Sequence, residues 1–461
     1  MINLVKQQNT ALYLSLYESI KEEIENDRIL ATEKLPSKRE LADRLGISVA
    51  TVQNAYYQLL SEGYIYSVER SGFFVAEIPQ TKSLTKSKID EVIIPEQKKT
   101  PYLTLYKNTI NTDYFPFSTW AKLMRNVLSI NYETLLQRSD NIGVFELRKA
   151  ISDYLYRERN IIVNPKNIVI GAGTEYLYSI MIKLLGREDS YGVETPGYPK
   201  MWQAYQAENV SLEYINLDTK GLSPSSLEKT ATNILHISPN HQFPSGIVMP
   251  YTRRKELLDW ANKSPNRYII EDDYDSEFRF DEKPIPSIYS MDNQGKVIYI
   301  NTFSKTIAPS LRISYMILPD ALLEKYHNQF YFISNTVANF EQFVLAKFIS
   351  EKYFERYIKK TKKIYKNKRN EIISLIENSR LSEYISINEQ NAGLHFALTL
   401  KSSKTDDELK YLAQKRGINL IFMSDFMQVN CKENSATLIV SYTNFKKNEI
   451  IKILNVLAEI I

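Results

Sequence analysis

Residues 301–312 read Asn-Thr-Phe-Ser-Lys-Thr-Ile-Ala-Pro-Ser-Leu-Arg, and residues 296–300 before them read Lys-Val-Ile-Tyr-Ile. The earlier run has the apolar pattern of a buried strand. The stretch therefore predicts a strand that ends in a loop carrying Thr302, Ser304 and Lys305, with Arg312 seven positions after the lysine. A lysine at a strand end inside a pocket loses its proton more easily, because burial disfavours the ammonium. The neutral amine is then a nucleophile. Small hydroxyls and a planar guanidinium suit a dianionic phosphate. A Ser-Lys pair in a surface loop would carry no such chemistry, so the reading needs partners elsewhere.

The upstream sequence supplies them. From about Tyr102 the chain alternates strand and helix patterns, as an α/β layer fold does. Asn167-Ile168-Val169-Ile170 reads as a strand that passes through Gly171-Ala172-Gly173-Thr174-Glu175 into a helix, Tyr176 to Leu185. Such a turn offers backbone N–H groups and a positive helix end to a phosphate. Gly173 and Thr174 are the expected contacts. A second strand, Arg267 to Ile270, ends in Glu271-Asp272-Asp273-Tyr274-Asp275. That acid run has the oxygen ligands of a metal site, or it is a solvated strand end. Nothing else in the chain supports a metal, and none is expected.

The 301–312 loop resembles the pyridoxal-phosphate lysine loop of fold-type I aminotransferases. The resemblance implies that Lys305 bonds to the cofactor and that Gly173, Thr174, Thr302, Ser304 and Arg312 hold its phosphate. It implies Asp272 against the pyridine nitrogen, keeping the ring electron-withdrawing, and Tyr274 near the ring's 3-oxygen. Tyr198, in Glu194-Thr195-Pro196-Gly197-Tyr198, resembles the aromatic that stacks on the ring. Ser238 to Gly246 resembles the aminotransferase Asn-Pro-Thr-Gly loop, with Phe243 where the asparagine usually stands. His241 or Gln242 is expected to contact the cofactor instead. Thr437 to Tyr442 resembles the strand that carries the substrate-carboxylate arginine, and here that position is Ile439. Relatives responding to γ-aminobutyrate carry an arginine two residues past the stacking tyrosine, where this chain has Lys200. Lysine is a poorer carboxylate clamp than arginine. Both departures count against ordinary transamination and against an aminobutyrate response.

The first 78 residues follow another pattern. Leu12, Leu16, Ile20 and Ile24 repeat at helical spacing over residues 11–27. Ser37-Lys38-Arg39-Glu40 has the spacing of a capping box, and Gly46 ends the helix it opens. Ser48 caps a further helix, whose apolar set is Val52, Ala55, Tyr56, Leu59 and Leu60, and Gly63 closes it. Tyr64 to Phe74 alternates through a turn at Glu69-Arg70-Ser71-Gly72, as a short hairpin does. Three helices and a hairpin make a winged helix-turn-helix. Its second short helix is built to enter a major groove, with Ser48, Thr51, Gln53 and Asn54 toward base edges. Lys38 and Arg39 are placed to neutralise phosphates. Arg70 and Gly72 form a wing tip slim enough for a minor groove. The alternative is a helical dimerisation module. Acids slightly outnumber bases over residues 1–78, so non-specific affinity is expected to be modest.

This region resembles the GntR family of bacterial regulators through Leu35-Pro36-Ser37-Lys38-Arg39-Glu40-Leu41-Ala42, Gly46-Ile47-Ser48, Thr51-Val52, Ala55-Tyr56, Gly63-Tyr64 and Gly72-Phe73-Phe74. Many members have Arg after the serine that opens the recognition helix. Here that residue is Val49, so thymine methyls or other bases are expected to replace one guanine contact. Over nearly its whole length the chain resembles the MocR subfamily, which joins a winged helix-turn-helix to a fold-type I aminotransferase-like domain. The organisation implied is a reader at 1–78, a Lys-rich solvated linker at 79–101 and an α/β effector domain at 102–461. The large part of that domain is expected at about 146–320, and the small part at about 321–461 with 102–145. The function implied is a pyridoxal-phosphate-dependent transcription regulator on double-stranded promoter DNA. It is expected to be a cytoplasmic head-to-tail homodimer sensing a small amino compound or pyridoxal phosphate itself. The alternative is an active aminotransferase with an accessory N-terminal domain.

Composition agrees with a large globular chain. Of 461 residues, 43% are hydrophobic and 24% charged, enough for a full core. The net charge of +4 does not by itself argue for nucleic acid. Cys431 is the single cysteine, which excludes an intrachain disulfide and suits the cytosol. No basic-then-apolar leader and no long uncharged stretch is visible, so neither export nor a membrane span is expected. Glu351 to Asn378 reads as a long helix with Lys359, Lys360, Lys362, Lys363, Lys366, Lys368 and Arg369. It is either a solvated face or a track for bent DNA.

Overall fold

The computed structural model describes residues 11–77, 102–107, 109–130, 132–280, 285–388, 391–428, 436–444 and 446–461. The 79–101 linker and Cys431 lie outside them. The chain separates into two compact units, residues 1–98 and 99–461.

In the first unit, helices α1 (Leu12–Glu25), α2 (Lys38–Leu45) and α3 (Val49–Ser61) are followed by strands β1 (Ile65–Val68) and β2 (Gly72–Val75). The Ser37 hydroxyl accepts the Glu40 N–H at 3.2 Å, and the Glu40 carboxylate accepts the Ser37 N–H at 3.3 Å. This is the capping box read from sequence, and such a cap contributes about 1 kcal/mol. Gly46 stops α2 at φ 63°, a left-handed conformation that other residues adopt only under strain. Leu16, Ile20, Leu41, Val52, Ala55 and Leu59 bring the three helices onto one core. In the hairpin Tyr66 faces Phe74 and Val68 faces Gly72. The turn is thus Glu69 to Ser71, one residue shorter than the sequence suggests, because Gly72 already pairs.

The second unit opens with β3 (Leu103–Thr104). It continues through β4 (Ile168–Gly171), β5 (Ser190–Thr195), β6 (Ser211–Asp218), β7 (Gly221–Leu222), β8 (Ile234–Ile237), β9 (Tyr268–Asp272), β10 (Val297–Thr302) and β11 (Ser314–Ile317). The strands from β4 to β11 form one sheet in the order β4-β11-β10-β9-β8-β5-β6-β7. Its centre, β10-β9-β8-β5-β6, is parallel throughout. Such strands are buried on both faces and read as continuous apolar runs. Ile298 and Ile300 of β10 face one core with Val169 and Met316, while Tyr299 faces another with Ile168 and Ile170.

A smaller antiparallel sheet contains β12 (Ile385–Asn388), β13 (His395–Leu400) and β15 (Thr437–Ser441); β14 (Ile418–Asn419) pairs with β3. Its core receives Tyr365, Ile372 and Ile376 from the long helix Tyr353–Glu377. The boundary expected near residue 321 differs in packing. Helix Asp320–Phe330 puts Leu322, Leu323, Tyr326 and Phe330 into the large-sheet core. Helix Asn339–Ser350 packs Val344, Leu345, Phe348 and Ile349 with Leu123 and Val127 and with helix Phe145–Arg159, again on the large sheet. The long helix exposes Lys359, Lys360 and Lys363, but Arg369 is buried with its guanidinium 4.9 Å from the Phe280 ring. No described helix is long and apolar enough to cross a membrane.

Candidate functional site

Ligands of open parallel sheets bind beyond the C-terminal strand ends. Here β9 ends at Asp272, β10 at Thr302, β5 at Thr195 and β8 at Ile237. The loops after them surround a cavity of about 460 Å³. Thr174, Tyr198, Asp272, Tyr274, Thr302, Ser304, Lys305 and Arg312, separate in sequence, all line it. Burial moves the Lys305 amine down to about 8; Asp275 and Asp272 oppose that shift and Lys200 adds to it.

Asp272 is held from behind. The Tyr178 hydroxyl donates to its Oδ2 at 2.7 Å, and His236 Nε2 stands 3.5 Å from the same oxygen. Tyr205 Oη lies 2.8 Å from His236 Nδ1. Burial, then the neighbouring carboxylate, push the Tyr178 phenol up, so it remains a donor. Asp272 Oδ1 is buried without a hydrogen-bond partner among the described residues. An unpaired buried carboxylate oxygen is costly unless a donor reaches it, and a protonated ring nitrogen is such a donor.

The other end of the cavity suits a phosphate. Gly173, at φ 97°, caps helix Thr174–Leu185. A Cβ there would collide with the Arg312 guanidinium, so glycine makes that close approach possible. Arg312 Nη2 lies 2.5 Å from Glu175 Oε2. Ser304 Oγ is buried with no partner among the described residues, whereas Thr302 Oγ1 accepts the Ser304 N–H at 3.2 Å and the Ser314 hydroxyl at 2.8 Å. Helix end, arginine and hydroxyl together fit a phosphate group.

His241 is not brought into this cavity. The Tyr274 hydroxyl donates to the His241 carbonyl at 2.9 Å, and His241 Nδ1 lies 2.9 Å from Asp275 Oδ2. Gln242 is tied to Pro196 O at 2.9 Å. Both therefore stand one layer out, and Phe243 faces the cavity. His241, Asp275 and His395 place ligand-type atoms within 4.8 Å of one another, linked to Tyr274 through the hydrogen bonds just given. Three residues escaped the sequence reading: Tyr178, His236 and Glu194. Tyr178 stands four residues after Thr174, on the same helix face. His236 interrupts the apolar strand Ile234-Leu235-His236-Ile237, a usable signal. Glu194 is pushed up to about 8 by burial, and its Oε2 accepts the Ser238 N–H at 3.0 Å.

On the first unit, α3 exposes Asn54 and half-exposes Thr51 and Gln53. Ser48 accepts the Thr51 N–H at 3.1 Å, so its hydroxyl is engaged as the helix cap. Arg39 is exposed, and Lys38 Nζ lies 5.7 Å from the Phe73 ring centroid. Arg70 occupies the hairpin turn at φ 60° and Gly72 opens β2 at φ 117°.

A winged helix-turn-helix unit joined in one chain to an α/β unit of the aminotransferase type defines a class of regulator. Residues 12–75 match the bacterial regulatory proteins of the gntR family, and residues 108–446 match aminotransferase class I and II. The chain belongs to the gntR family of regulators that carry this aminotransferase domain, the MocR type, and is an HTH-type transcriptional regulator. It is 36% identical to the HTH-type transcriptional regulator YdeL of Bacillus subtilis, over 89% of this chain and 88% of that protein. It is 29% identical to the probable rhizopine catabolism regulatory protein MocR of Rhizobium meliloti, over 91% of this chain and 88% of the other. The pyridoxine biosynthesis regulator PdxR of Corynebacterium glutamicum is 26% identical over 92% of this chain and 91% of its own length. Among solved structures, the multiple substrate aminotransferase of Thermococcus profundus superposes with a TM-score of 0.68 at 25% identity, covering 79% of this chain and 92% of that one.

Proposed function

We propose that the chain binds pyridoxal phosphate at Lys305 and regulates transcription as a dimer whose DNA affinity or geometry responds to an amino compound or to the cofactor itself. The observation that carries this reading is the unpartnered Asp272 Oδ1 in the same cavity as the Lys305 amine and the Gly173–Arg312 cradle. When bound, pyridoxal phosphate supplies an aldehyde for amines and an electron-withdrawing ring. Asp272 would hold a proton at the ring nitrogen, with Tyr178 and His236 fixing its orientation. Thr174, Ser304 and Arg312 would bind the phosphate, and Tyr198 would cover one ring face. Residues 1–78 would read promoter DNA through Thr51, Gln53 and Asn54, with Lys38, Arg39 and Arg70 on phosphates. A head-to-tail dimer would offer two readers to one operator. The effector must bind two arrangements of the dimer unequally to act on either.

Borohydride reduction followed by peptide mass spectrometry tests the cofactor site. The pyridoxyl mass is expected on the Lys305 peptide, and its appearance on another lysine would refute the assignment. The runner-up is a working aminotransferase, favoured by the complete Lys305–Asp272–Tyr274 set. Steady-state turnover with a panel of amino donors separates the two; little or none is expected, because Ile439 offers no fork for a substrate carboxylate.

A further inference from the structure

Building on the proposed cofactor site, we infer that the Lys305 cavity selects an amine with an apolar body and no carboxylate, in preference to an α-amino acid. Phe243, Phe426 and Ile439 form a buried cluster, with Tyr106, Tyr198 and Tyr274 packed against it. The Phe243 ring centroid is 5.6 Å from that of Tyr198 and 4.9 Å from that of Phe426. Phe243, Tyr198 and Tyr274 face the cavity, and Ile439 closes the cluster from β15, its N–H held by Ile421 O at 3.0 Å. A carboxylate pressed into this wall would lose its water and meet no cation among the described residues of the cluster, only phenol hydroxyls such as that of Tyr106, which is expensive for a charge.

The cations of the cavity do not repair that loss. Those lining it are Lys305 itself, Arg312 and Lys200. Arg312 stands at the phosphate end against Glu175. Lys200 is exposed, so water screens its pull. Lys107 lines only an adjoining pocket of about 30 Å³, roughly the space of one water. The anions act the other way. Glu194, pushed up to about 8 by burial, is largely protonated at neutral pH, but Asp272 lines the cavity and Asp275 lies close enough to influence Lys305. Their field attracts an ammonium and repels a carboxylate. Apolar wall and acidic field thus favour the same ligand class.

The test uses the full chain loaded with pyridoxal phosphate. One portion is reduced with borohydride and mapped; the rest is titrated calorimetrically with two matched pairs. These are 2-phenylethylamine against L-phenylalanine, and 3-methylbutylamine against L-leucine. In each pair the bodies match and the carboxylate differs. Each amine is expected to bind about tenfold more tightly than its amino acid, or better, the usual loss for an unpaired charged group. Ile439→Arg, which adds a carboxylate fork, is expected to narrow the ratio by about tenfold. Should that variant fail to fold, the wild-type pairs decide alone. Equal or tighter binding of the amino acids, or binding of none of the four, overturns the selectivity while a Lys305 adduct keeps the cofactor site standing. An adduct on a different lysine overturns both.

Discussion

Lys305 acts as a nucleophile only when neutral, and burial moves its ionisation down to about 8. A free lysine ionises near 10.4, about two units higher. The rate at which cofactor-free protein takes up pyridoxal phosphate should therefore rise through pH 8 and level off above it; a half-rise near pH 10 would show an ordinary surface amine. Gly173→Ala places a methyl group against the Arg312 guanidinium and strains a residue at φ 97°. We expect the variant to fold and to hold pyridoxal phosphate about tenfold more weakly or worse, read by fluorescence titration. Unchanged affinity would remove Arg312 from the phosphate site. At this scale the residues gathered at the cavity are largely legible, because Lys305, Asp272, Gly173 and Arg312 sit at strand and helix ends that announce themselves in the sequence. For Tyr178 and His236 the sequence offers only a partial signal, a polar residue inside the Ile234–Ile237 run and a helix position in step with Thr174; that both contact Asp272 is not displayed by spacing.

The recognition element α3 combines a buried face, Val52, Ala55, Tyr56 and Leu59, with an outer face that carries Asn54. Arg39 is exposed at the start of α2, and we propose that it meets phosphate rather than bases. Arg39→Ala should weaken binding across many sequences and reduce the salt slope by about one ion. Asn54→Ala should instead change which bases are preferred in a selection from random duplexes. An unaltered salt slope in the first variant would place Arg39 off the backbone. The caps of these helices were readable because capping is local chemistry between residues three apart. The layer that receives the helices at 320–330 and 339–350 is not readable from sequence, for the opposite reason. Their apolar faces fit either layer, and only tertiary packing decides which core receives Tyr326 or Phe348.

For the whole molecule, one reader domain makes few contacts, whereas two tethered readers gain from effective concentration. The isolated 1–78 fragment should protect the same sequence as the full chain but with much weaker affinity. Equal affinities would argue against a dimeric reader. The central claim is that cofactor chemistry at Lys305 reaches the DNA. Its most direct test is footprinting on the DNA upstream of the protein's own gene, with wild type and Lys305→Ala, each with and without pyridoxal phosphate. The account predicts that the wild-type footprint or its affinity changes when the cofactor is added, and that Lys305→Ala gives one pattern in both conditions. Wild-type footprints that are identical with and without pyridoxal phosphate would contradict it.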